Sequence, residues 1–405
     1  MEREAANFQE ISGYDLSHIP EPADYNQVLL KLLSSPNISS KQWTYQQQYN
    51  DSMAGPNTAA VPGAPVLRLK EISPRGLVLT TCSNRRYCDL EPYQGGALAI
   101  AEAARELVCT GAEPLGTQCV HLGNPGNSEI FWQIQQIIQG MGVASRGLGI
   151  PTIGAQVRLY HETRDHSTPI VGMVGLLDNV ERHCSRSFKA EGDIVLLLGP
   201  LSDEIGGSEY LSVVHGLEAG PVPRLDLGLE RKVQQVCQAL IQQGLVQSAY
   251  NCSEGGLAVA LGECCISGKI GVEIGIDPRQ MLLQNGTTFQ NQSTPREPFS
   301  QEIELDKEAW QRLASPLESS PCPCDRGDVM FFGEGPSRIV LSIKPERIEI
   351  VQKIAQKERI PLWIIGVVGG ERLKIWGPNT NPIDLSVAEI TRVWEEEIPR
   401  CLSQK

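Results

Sequence analysis

The stretch Pro151–Thr163 reads PTIGAQVRLYHET. It follows a segment, Glu129–Arg146, in which Ile130, Ile134, Ile137, Ile138 and Met141 recur at three- and four-residue spacing, as a helix burying one face requires. Gly147 and Gly149 are expected to stop that helix. Beyond them an extended segment sets Gln156, Arg158 and Tyr160 on one face and Val157, Leu159 and His161 on the other. Such a strand presents polar groups to a ligand or a partner.

The chain has 405 residues, 41% of them hydrophobic, which suits a soluble globular protein of two or three domains. The first thirty residues lack the basic start and unbroken apolar run of a secretory signal, and no later segment approaches ~18 consecutive apolar residues. A cytoplasmic protein with no membrane partner is the expectation. A net charge of -13 argues against a large nucleic-acid footprint and leaves room for a small anionic ligand. The 12 cysteines are scattered, often within apolar runs, which suits reduced buried thiols better than a disulfide framework. Cys264-Cys265 and Cys322-Pro-Cys324 have no paired partner motif, so they carry little metal or redox signal.

Residues 1–61 read as an arm and connector with a short helix at Tyr25–Leu33. A first domain, 62–188, opens with a hairpin, Ala64–Lys70 and Gly76–Thr81, around the turn Ser73-Pro74-Arg75-Gly76. It continues with an Ala-rich helix at Leu98–Cys109, and Ser167–Leu177 is expected to pair antiparallel with the strand within Pro151–Thr163. A second domain, 189–405, begins with the apolar strand Glu191–Gly199 and includes an amphipathic helix at Leu229–Gln243. It carries a polar, Pro-interrupted insertion at about 278–326 with one helix near Leu305–Leu313. Three glycine pairs, Gly95-Gly96, Gly206-Gly207 and Gly255-Gly256, adjoin helix starts. All three are read as structural glycine turns, and the first two permit either close backbone packing or approach of an anion to exposed N–H groups.

The opening stretch resembles a segment of the second half of formylglycinamide ribonucleotide amidotransferase (FGAM synthase), where that family reads P-V-V-S-G-N-V-S-L-Y-N-E-T. Pro151, Val157, Leu159, Tyr160, Glu162 and Thr163 agree with that framework. The ligand-facing positions do not. The resemblance implies a glycine on nucleotide, an asparagine on magnesium and a serine on substrate, where this chain has Ala155, Gln156 and Arg158. In Gly116–Pro125 it implies an aspartate toward nucleotide or metal, where Gln118 stands, and an asparagine where His121 stands. Cys82 lies near another aspartate position, and Asn251 and Glu254 replace two more.

The resemblance covers roughly Leu29–Pro399 and corresponds to about half of the family's enzyme. It implies an AIR-synthase-like two-domain unit: a mixed or antiparallel half-barrel sheet domain followed by an α/β domain, α+β and α/β in class. In that family two such sheets meet in a closed barrel. A single open sheet therefore implies a homodimer or a partner resembling the missing first half. A neutral amide is a poorer ligand for a hard divalent ion than a carboxylate, so ATP or ADP with magnesium is expected to bind weakly at Gln118, Ala155 and Gln156, while Arg158 either fills the pocket or takes an anion. The leading expectation is a non-catalytic or repurposed relative acting through its interface. The alternative is a subunit of an ATP-dependent FGAM synthase completed by a separate first half.

Overall fold

The computed structural model describes residues 12–43, 58–59, 64–69, 72, 74–123, 128–159, 168–202, 204–276, 326–377 and 380–403. Most of the 278–326 insertion, with the helix expected near Leu305–Leu313 and the Cys322-Pro-Cys324 motif, lies outside the described residues.

A six-stranded sheet comes first. Its strands are β1 (Thr58–Ala59), β2 (Val66–Arg68), β3 (Gly76–Cys82), β4 (Glu113–Gly123), β5 (Thr152–Leu159) and β6 (Thr168–Leu177), in the spatial order β1-β2-β3-β6-β4-β5. The expected hairpin is present, with Val66 opposite Val78. The expected pairing of the opening strand with β6 is not. β6 inserts between β3 and β4, antiparallel to both, and among the described residues β5 pairs only with β4, in parallel. The physical reason is the connection: β4 and β5 are joined through a long helix, and a helical crossover returns the chain parallel to the strand it left.

That helix is α4 (Ser128–Leu148), preceded in the chain by α1 (Tyr25–Leu33), α2 (Arg85–Leu90) and α3 (Pro92–Cys109). α4 runs through Gly147 and ends at Gly149, which takes a φ of 75°. α3 starts six residues earlier than the expected Leu98, with Pro92 in its first turn, so Gly95 and Gly96 lie inside the helix rather than before it. A Cβ on Gly96 would meet the Ile137 carbonyl, and one on Gly140 would meet that of Tyr93. The two helix backbones therefore cross in near contact. Their shared core takes Ala99, Ala103, Ile137 and Met141 together with Val78, Cys119, Val171 and Met173 of the sheet.

The second sheet holds β7 (Ile194–Leu198), β8 (Ser248–Asn251), β9 (Val272–Gly275), β10 (Ile339–Ile343), β11 (Leu362–Val368), β12 (Arg372–Trp376) and β13 (Ile383–Ser386). Their order is β13-β12-β9-β11-β7-β10-β8, antiparallel except for β9 beside β12. Every residue of β7 and β10 is buried, because both faces are covered. One face packs on α7 (Gly256–Gly268), α10 (Val387–Ser403) and α1, whose Leu29, Leu32 and Leu33 are fully buried there. The helix expected in a connecting arm is thus part of this core. The other face packs on α6 (Leu227–Gln242) and α9 (Ile348–Glu358), and Val108 and Cys109 from the end of α3 join that cluster. The remaining helices are α5 (Glu209–His215) and α8 (Gly327–Phe332). Among the described residues, no helix is long and apolar enough to cross a membrane.

Candidate functional site

β4 and β5 carry the four positions singled out by the sequence. Thr117 stands opposite Thr152 and Gln118 opposite Gly154, so Ile153 is an extra residue in β5, a bulge that leaves it 69% exposed. Past the bulge, Cys119 faces Ala155, Val120 faces Gln156 and Leu122 faces Arg158 in register. Paired residues share a side of a sheet and successive residues alternate. Gln118 and Gln156 therefore belong to one face, with Arg158 at the next position of the same parity, while Ala155 belongs to the other with buried Cys119. Gln118, Ala155 and Gln156 are all exposed. The structure gathers three of the four positions and separates Ala155 from them. The side chains of His121 and Arg158, and all of residues 160–167, lie outside the described residues.

The face carrying Gln118 points away from α3 and α4. Across β3 and β6 it is mainly apolar: Leu77, Val174 and Leu176 are half-buried and Leu79 is 41% exposed, with exposed Thr81 in line with Gln118. A run of leucine and valine thus grades into a polar strip of amides at the β5 edge.

Among the described residues, that strip is a poor seat for a magnesium nucleotide: Gln118 and Gln156 supply neutral amide oxygens and none of the carboxylate charge that a hard divalent ion favours. Among the described residues, no group of three His, Cys, Asp or Glu side chains is arranged to hold a metal ion.

A second constellation lies where the two sheet units pack together. A cavity of about 20 Å³, room for one water molecule, is lined by Asn84, Tyr87, Glu102 and Arg105 from the first unit and by Ser253, Glu254 and Glu334 from the second. Glu334 is its centre. One carboxylate oxygen accepts from the backbone N–H groups of Glu209 (2.8 Å) and Gly255 (2.7 Å), and the other accepts from the Tyr87 hydroxyl (2.5 Å). Burial nevertheless outweighs these donors and pushes Glu334 up to about 7. Burial, then the charge of Glu254, holds Glu102 well above the usual carboxylate range. Glu106 is also raised by burial, although it accepts from Thr80 and Cys82.

The two glycine turns beside the cavity are already occupied from within the chain. The N–H groups at the Gly206-Gly207 and Gly255-Gly256 turns are not an open seat for an external anion, because Glu334 already accepts from Glu209 and Gly255, and Ser208 caps Leu211 at 3.2 Å. Gly255 and Gly256 take φ of 75° and 68°, and a Cβ on Gly256 would lie 2.5 Å from the Gly333 carbonyl, so glycine is required there for conformation and close approach.

Two ion pairs flank the cavity. Arg86 meets Glu209 at 2.6 Å, and Arg105 meets Glu230 at 2.8 Å with both groups buried. Sequence reasoning missed Tyr87, Glu102, Arg105 and Glu334. They sit in segments that read as framework, and their only signal was a string of charges, Glu102 to Glu106, on an otherwise apolar helix.

Residues 63–177 match the family described as AIR synthase related protein, N-terminal domain, and residues 190–376 match the corresponding C-terminal domain. The chain belongs to the AIR synthase related family. Over 403 residues, 98% of the chain, it is 40% identical to the phosphoribosylformylglycinamidine synthase subunit PurL of Moorella thermoacetica, covering 48% of that protein. To the PurL subunit of Alkaliphilus metalliredigens it is 37% identical over 405 residues, again covering 48%. The chain thus spans about half the length of the curated relatives it matches. Among solved structures, Thermotoga maritima PurL complexed with ADP superposes with a TM-score of 0.65 at 15% identity, covering 92% of this chain and 52% of that one. The PurLQS structure from Thermotoga maritima gives 0.62 at 15%, covering 93% and 52%. These likenesses show the AIR synthase-like two-domain fold, and the sequence relatives tie the chain to the PurL proteins of purine biosynthesis.

Proposed function

We propose that this chain is the docking half of a phosphoribosylformylglycinamidine synthase-type assembly and is catalytically silent by itself. The observation that carries this reading is the face of the first sheet that no helix covers among the described residues, mainly apolar across β3 and β6, with Leu79 exposed at its middle. A face of that kind is covered in the functional molecule, and the partner that fits is a second sheet of the same family: another copy, or an element resembling the half of the PurL relatives that this chain does not match. The amide strip of Gln118 and Gln156 beside it favours catalytic silence, since it supplies no metal-binding charge. On this reading a cofactor-loaded site, if the assembly has one, is built with groups of the partner. A second reading, a homologue repurposed for a reaction or regulatory role without metal, is favoured by Arg158 at the strand position where the resemblance implies a serine.

Native mass spectrometry of the chain, alone and mixed with a first-half polypeptide, with and without magnesium and ATP, tests this. The expected result is a dimer or a mixed complex in which this chain alone gains no nucleotide. A monomer under all conditions, or a nucleotide adduct on the isolated chain, overturns it.

A further inference from the structure

We draw no further inference here: the strongest candidate, the polar cavity at the junction of the two sheet units lined by Glu102, Arg105, Glu254 and Glu334, belongs to the site already described and, with room for one water molecule, names no ligand of its own.

Discussion

One guanidinium nitrogen of Arg105 donates to both carboxylate oxygens of Glu230 at 2.8 Å, tying helix α3 of the first sheet unit to helix α6 of the second. Ser337 donates to the same carboxylate at 2.6 Å, and so does Gln234, also at 2.6 Å. A buried pair of this kind compensates its own desolvation, and removing one member strands the other. Arg105→Met is expected to lower stability by about 3–5 kcal/mol, read as a shift in the denaturant midpoint. The double variant Arg105→Met/Glu230→Leu should recover much of that loss. If the double variant is as unstable as the sum of the singles, the pair is not the unit that matters.

The crossing of α3 and α4 depends on two absent side chains. Gly140→Ala places a Cβ against the Tyr93 carbonyl, with the α3 backbone behind it, so relief requires the helices to separate. Thermal unfolding should report a loss of about 1–3 kcal/mol. Gly142→Ala, two residues along the same helix with only the Arg146 side chain within reach, is the control and should cost little.

Leu79 is 41% exposed at the centre of the apolar sheet face, so Leu79→Glu is expected to change monomer stability by no more than about 0.5 kcal/mol. Association is the property that should change. Sedimentation velocity should show the dimer or mixed complex weakened at least about tenfold. Unchanged association would place the interface on another surface.

Gln118→Asp, Ala155→Gly, Gln156→Asn and Arg158→Ser together rebuild the donor set that the resemblance implies. Titration calorimetry should then detect magnesium-ATP at least about tenfold tighter than in the parent chain. Because Ala155 has the opposite strand parity to Gln118 and Gln156, the Ala155→Gly change alone should contribute nothing. Equal silence in the fourfold variant would move the nucleotide question to the junction of the two units.

Much of this molecule was legible locally. The isoleucine spacing of 130–141 predicted α4 within two residues at either end, and the helix at Tyr25–Leu33 was read to its bounds. The start of α3 differs from the expectation because glycines suggest a break, and only the folded backbone explains why two of them sit inside a helix: Gly95 lies against the backbone of Tyr87 and Cys88, and Gly96 against the Ile137 carbonyl of α4. The junction cavity was not legible. Tyr87, Glu102, Glu254 and Glu334 are spread over nearly 250 residues, and no local pattern marks them as neighbours.

The sequence by itself determined most of the elements, the family resemblance and the amides at Gln118 and Gln156, the first in place of a carboxylate, because periodicity, glycine placement and residue chemistry are properties of short segments. Only the tertiary structure decided three matters. Among the described residues β5 lies at an edge, parallel to β4, the Ile153 bulge sets which residues beyond it share a face with Gln118, and the Glu334 carboxylate takes the N–H groups of Glu209 and Gly255 beside the glycine turns. Each depends on distant chain being brought within a few ångströms, where a register shift of one residue or one buried charge reverses what the local pattern suggests.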